Sequence, residues 1–168
     1  MCVSTVVDCL SNECGECNLK NHEFYMQLAL DLAMEAVDDG ETPVGCVIVN
    51  GAGVVIGKGR NRREKDKTAT AHAEIEAMNE ACKAIGDWRL SGCSLYVTLE
   101  PCPMCAGAII MSRLDKLYYG ARDEITGSCG SVLNLFMENF GHKVEVTGGI
   151  LAEQSAELLS DFFKKLRT

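Results

Sequence analysis

Apolar residues fall on one stripe from His22 onward: Tyr25, Leu28, Ala29, Leu32, Ala33 and Ala36 recur at helical spacing and predict an amphipathic helix ending near Asp39-Gly40. The pattern then changes period. Val44 to Val49 and Val54 to Ile56 are β-rich runs separated by Asn50-Gly51, a pairing that predicts a hairpin. Arg60 to Thr70 is polar and reads as a loop. A second helix opens around His72, with Ile75, Met78, Cys82 and Ile85 expected on its inner face. Leu95 to Leu99 predicts a strand that runs into a short helix carrying Cys102 and, on its inner face, Ala106, Ile109 and Ile110. Lys116 to Tyr119 predicts a further strand, and Val132 to Phe140 and Ala152 to Leu166 predict helices around a last strand, Lys143 to Thr147. The β-α-β-α-β order in the middle of the chain implies an α/β fold, three layers α/β/α around a mixed central sheet of about five strands.

With 168 residues the chain suits one domain that buries a core without disulfides. The expected division is a Cys-rich N-terminal tail, residues 1–21, and a single globular domain, residues 22–168. The tail holds Cys2, Cys9, Cys14 and Cys17. Their C-x4-C-x2-C spacing overlaps a pattern of iron–sulfur ligands, but the lack of helical periodicity around them favours a flexible tail. No apolar run approaches the eighteen or more residues of a membrane span, and no basic segment precedes an apolar stretch at the N-terminus. No membrane association is expected. Cysteines spread through an apolar chain with no export signal favour reduced thiols and a cytoplasmic protein.

A formal charge of −8 argues against a nucleic-acid binder until its distribution is considered. Met1 to Gly45 carries nine acids and one base, whereas the remainder carries fifteen of each and is neutral. Within that neutral part Lys58, Arg60, Arg62, Arg63, Lys65 and Lys67 crowd one stretch, and Lys164, Lys165 and Arg167 close the chain. Phosphate contacts need local positive charge rather than a basic total. Glu64 and Asp66 interrupt the cluster, so a solvated loop is the competing reading.

Two short segments carry the chemistry: His72-Ala73-Glu74 and Pro101-Cys102-Pro103-Met104-Cys105. Catalytic zinc takes nitrogen and sulfur ligands and keeps a position open, so His72, Cys102 and Cys105 supply a three-ligand set for one Zn2+ per chain. Zinc lowers the pKa of a bound water from about 16 to near 7. Cys102 and Cys105 stand three residues apart and share a helix face. Pro101 and Pro103 suit a helix entry, and a helix N-terminus favours thiolates. Glu74 lies too close to His72 in sequence for easy ligation of the same tetrahedral ion, and its carboxylate is placed to carry protons. A structural four-ligand zinc site would need a further Cys or His. Cys46, Cys82, Cys93 and Cys129 are available, but none has a partner at metal-ligand spacing. Gly51, Gly53 and Gly57 lie in a hairpin rather than between strand and helix, so no nucleotide cofactor is expected.

The order H-x-E followed by P-C-x-x-C is an established signature of zinc-dependent deaminases, and the chain resembles the cytidine-deaminase-like superfamily. Within it, the closest resemblance is to tRNA-specific adenosine deaminases. It covers roughly residues 22–167 and rests on Thr42-Pro43-Val44-Gly45, Gly59-Arg60-Asn61, Ala71-His72-Ala73-Glu74, Tyr96 to Cys102 and Cys105-Ala106-Gly107-Ala108. It continues through Gly120-Ala121-Arg122-Asp123, Gly149-Ile150-Leu151 and Leu158 to Phe163.

The resemblance implies conversion of adenosine to inosine at the wobble position of a tRNA anticodon stem-loop, by a homodimer whose two copies build the RNA surface. It also implies that Asn61 contacts a flipped base, Val44 lines its pocket, backbone N–H groups near Ala73 and Cys102 position the attacking oxygen, and Asp123 lies in a loop touching RNA. Each has a plainer reading: Asn61 as a turn cap, Val44 as core, Asp123 as a loop carboxylate. Glu124-Ile125 departs from the family, where many members place a basic residue. Two alternatives remain. One is a deaminase of a free base or nucleoside, such as cytosine or guanine, on the same zinc site. The other is a noncatalytic zinc-stabilised RNA-binding or partner subunit, against which an intact Glu74 argues.

Overall fold

The computed structural model describes residues 15–167. Expectations for residues 1–14, Cys2, Cys9 and Cys14 among them, lie outside the described residues. Helix α1 (Gly15–Asp38) opens seven residues before the His22 start read from periodicity. It buries the expected stripe of Ala29, Ala33 and Ala36, joined by Met26 and Leu30. The hairpin forms from β1 (Gly45–Val49) and β2 (Val55–Arg60), and Asn50 holds its turn by accepting the Ala52 and Val54 amides on Oδ1. A short helix α2 (Arg63–Asp66) interrupts the polar loop. After it come α3 (Ala73–Ile85), β3 (Ser94–Leu99), α4 (Pro103–Met111), β4 (Lys116–Ala121), β5 (Glu145–Gly148) and α5 (Ala152–Leu166).

One five-stranded sheet results, in the order β2-β1-β3-β4-β5. The hairpin side is antiparallel, and β3, β4 and β5 run parallel. Helices α1 and α5 cover one face, α3 and α4 the other, which makes the three-layer α/β/α architecture expected. The period-two rule of strands sorts the core between the faces. Cys46 and Ile48 of β1 and Leu95 and Val97 of β3 face α3 and α4, while Val47, Val49 and Tyr96 face α1. Among the described residues no helix is long and apolar enough to cross a membrane.

Two sequence readings need correction. The inner face of α3 is Ala73, Glu74, Ala77, Met78 and Ala81; Ile75 and Cys82 are only partly buried and Ile85 is 45% exposed. The cause lies in β2. A side chain at Gly57 would collide with the Ala77 carbonyl and Ala81, and one at Gly59 with the Ala73 carbonyl and the Ala77 amide. Glycines on the strand and alanines on the helix let the two backbones approach closely, so the face with the smallest side chains turns inward. The second correction concerns residues 132–140, expected to be helical. Only a 3-10 turn, Leu135–Met137, forms there. The amides of Val132 and Leu133 donate to the Gly127 carbonyl and that of Leu135 to Ser128, so the segment folds back on its own approach instead of winding forward.

Candidate active site

His72 and Cys102 occupy equivalent positions, each with extended backbone immediately ahead of a helix. The loop after β2, which carries α2, leads to His72 at the start of α3, and β3 feeds Cys102 to the start of α4. Pro103 begins α4 without an N–H to leave unpaired. Cys105, one turn in, is fully buried. The two helix starts meet at one end of the sheet. His72 Nδ1 lies 3.7 Å from Cys102 Sγ and 3.6 Å from Cys105 Sγ, and the three ligand atoms lie within 4.8 Å of one another. Metal bonds of about 2.0 Å to nitrogen and about 2.3 Å to sulfur, meeting at a tetrahedral angle, separate those atoms by about 3.6 Å. The donor set and its spacing therefore suit a metal ion.

Without a cation the thiols polarise one another. Hydrogen bonding from Cys105, then from His72, pulls the Cys102 thiol down to about 4. Donating that bond, with burial, pushes the Cys105 thiol upward. The Cys102 partnership also raises the His72 imidazole against the opposing effect of burial. A thiol whose pKa is lowered beside an imidazole suits metal ligation.

Glu74 is 4% exposed, and burial pushes its carboxyl up to about 7, opposed by its own backbone amide and by His72. A carboxyl poised near neutrality is suited to taking and returning a proton. The same shift has a consequence for stability. A folded-state pKa raised above the unfolded value gives stability that is fully present below the unfolded pKa and lost as pH rises through about 7. In metal-free protein, Glu74→Gln should therefore gain stability relative to the parent as pH goes from about 5 to about 8. Urea midpoints across that range check it, and a pH-independent difference contradicts it.

The remaining candidates take different places. Asn61 is 7% exposed and its Oδ1 accepts the Ala73 amide at 3.1 Å. Its side chain thus fixes the first turn of α3, and the Ala73 N–H is donated to Asn61. Val44 is 5% exposed within the core cluster and accepts the Asn61 amide at its carbonyl, so the two stand side by side near His72. Asp123 is half-buried and caps its own turn: Oδ1 accepts the amides of Ile125 and Thr126, and Oδ2 the Thr126 hydroxyl. The basic stretch is largely paired. Arg60 bridges Glu35 and Asp39, Lys65 also reaches Asp39, Arg62 pairs with Asp66 and Lys67 with Glu64. Among the described residues, Lys58 and Arg63 are the members of the stretch outside these ion pairs.

Two buried carboxylates escaped the reading of the sequence. Glu41, 2% exposed, accepts the Lys65 amide at 2.7 Å and so ties down the loop that leads to His72. Glu100, also 2% exposed, stands two residues before Cys102 and grips the loop at 123–131. For Glu100 the available signal was an acidic residue closing an apolar strand just before proline.

Comparison with known proteins follows the same lines. Residues 20–167 match the family of MafB19-like deaminases. The chain is 47% identical over 146 residues to the tRNA-specific adenosine deaminase of Bacillus subtilis (strain 168), covering 86% of this chain and 90% of that one. The tRNA-specific adenosine deaminase of Haemophilus influenzae is also 47% identical over 146 residues, covering 86% and 84%. A solved structure from work on A-to-I editing by tRNA:A34 deaminases at the wobble position of transfer RNA superposes with a TM-score of 0.78 at 43% identity, covering 81% of this chain and 99% of that one. The guanine deaminase from Nitrosomonas europaea superposes with a TM-score of 0.74 at 26% identity, covering 83% of each.

Proposed function

Since the chain belongs to the family of tRNA-specific adenosine deaminases, we propose that it converts adenosine to inosine at the wobble position of tRNA anticodons. The observation that carries this reading is the meeting of His72, Cys102 and Cys105 beside a buried carboxylate, Glu74. Those three residues would hold one zinc ion per chain, which when bound would supply a Lewis acid that makes water nucleophilic near neutral pH.

The protein's own part is positioning and proton transfer. An anticodon-loop adenine is unstacked, and the base reaches the site at modest energetic cost. Glu74 takes a proton from the attacking water and passes it to N1 of the adenine as C6 becomes tetrahedral; it then takes the proton of the new C6 hydroxyl and hands it to the amino group, so that the C6–N bond breaks as the hydroxyl oxygen becomes the carbonyl. Water enters, ammonia leaves, and Glu74 ends as it began. Val44 forms a pocket wall and Asn61 presents its amide to the base. Lys58 and Arg63 meet phosphates, and the turn capped by Asp123 borders the RNA.

Two copies of the chain assemble and share the RNA surface. The exposed apolar side chains of Met104, Met111, Val132 and Met137, on α4 and the segment that follows β4, support such an assembly. Free thiols at Cys46, Cys82, Cys93 and Cys129 fit a reducing cytoplasm.

Ammonia release tests the substrate class. Zinc-loaded protein should release ammonia from a tRNA bearing wobble adenosine and stay silent on free adenosine, guanine and cytosine. Release from a free base with silence on tRNA would keep the site chemistry and overturn the substrate, in favour of the guanine-deaminase reading. Binding to tRNA should weaken steeply with added salt, as phosphate contacts require.

A further inference from the structure

We infer that Glu100 is a positioning residue for the reaction, locking the loop at 123–131 against the turn that carries Cys102. Its Oε1 accepts the amides of Cys129 at 2.7 Å and Ser131 at 3.2 Å. Its Oε2 accepts the Asp123 amide at 3.1 Å and the Ser131 hydroxyl. All these donors belong to one loop, and they converge on a carboxylate that is 2% exposed. The next residue strengthens the joint, because the Pro101 carbonyl accepts the Ser128 amide at 2.9 Å. A side chain at Gly127 would collide with the Glu100 carboxylate, so the loop backbone passes directly over it.

The arrangement is expensive unless it serves a purpose. A buried carboxylate costs several kcal/mol unless donors surround it, and here the loop supplies them. The outer end of the loop has little apolar anchorage, since Ile125 is 84% exposed. Its position therefore depends on Glu100 and Pro101, which are joined covalently to Cys102, alongside the core contact of Cys129. The loop also reaches inward: Cys129 packs against the core cluster that contains Ala73, at the foot of the site. Glu100 thus couples the placement of a metal ligand to the placement of the wall that borders the substrate.

This inference rests on the tRNA reading for its kinetic readout, and a second readout is independent of activity. In Glu100→Gln the amide NH2 faces backbone donors, and the loop loses its anchor. Hydrogen exchange at the amides of Asp123, Cys129 and Ser131 should quicken about tenfold or more, with β3 and α4 unchanged. KM for the tRNA should rise about tenfold while kcat and zinc content hold within about threefold. Ser131→Ala removes one donor and should show a smaller shift in the same direction, and Ser131→Thr, which restores the hydroxyl, should recover it. If Glu100→Gln unfolds, the Ser131 pair decides. Unaltered exchange and KM in both positions overturns the inference, as does a loss of kcat and melting temperature with KM unchanged. Inactivity of the parent protein on tRNA, with loop exchange responding as expected, overturns the substrate reading and leaves the joint in place.

Discussion

Glu74→Gln should lower kcat on a wobble-adenosine tRNA by about 10²–10⁴-fold while metal content stays at that of the parent. Gln keeps the volume and the hydrogen-bonding reach of the side chain but cannot hold or release a proton at neutral pH. The substitution leaves His72, Cys102 and Cys105 in place, so a metal assay separates loss of chemistry from loss of the ion. Burial supplies the rest of the argument. A carboxyl pushed up to about 7 stands near the pH at which it works, and that poise is absent from an exposed glutamate. Folding should not suffer, since Gln removes a buried charge rather than creating one. Near-parental turnover in Glu74→Gln would remove the proton carrier from the mechanism.

A second large effect is expected at a residue that touches no substrate. Gly59→Val should lower the melting temperature by about 2–12 °C and weaken metal binding together. A side chain there meets the Ala73 carbonyl, the Ala77 amide and Glu76 Cβ, all in the first turns of α3. None is a flexible tip that can swing away, so α3 must move off the sheet. His72 and Glu74 move with it, and a displacement of about 1 Å in a catalytic group costs about 10²-fold in rate. Gly107→Ala is the contrasting case. It lies within α4, and a Cβ there meets nothing within 4 Å. Alanine is better than glycine in a helix by about 0.5–1 kcal/mol, so Gly107→Ala should be at least as stable as the parent. Thermal unfolding and metal titration of the pair check both expectations; an unperturbed Gly59→Val would refute the close approach of β2 and α3.

These contrasts show why parts of the molecule were legible in the sequence. His72, Glu74, Cys102 and Cys105 are local patterns, and their meeting follows from β3 and the loop after β2 delivering two helix starts to one end of a sheet. Element types followed from period, and the hairpin, β3, β4 and α5 appear where the pattern places them, as does the end of α1. What periodicity misjudged was the face of α3, because hydrophobicity ranks Ile85 above Ala77 while close packing against Gly57 and Gly59 ranks them the other way. The apolar run at 132–140 failed as a helix because its amides were already claimed by the Gly127 and Ser128 carbonyls. Glu41 and Glu100 were invisible for a related reason: their partners lie more than twenty residues away and are backbone amides, which every sequence possesses. The pairing of the basic stretch was hidden likewise, since Glu35 and Asp39 on α1 meet Arg60 and Lys65 from more than twenty residues away.

The most direct measurement is position-resolved sequencing of a wobble-adenosine tRNA after incubation with the zinc-loaded protein, reading inosine as guanosine on reverse transcription. The account predicts adenosine-to-guanosine conversion confined to the wobble position. It also predicts loss of that signal on chelation of the metal and in Glu74→Gln. An unchanged wobble adenosine, or conversion that persists in Glu74→Gln, would contradict it.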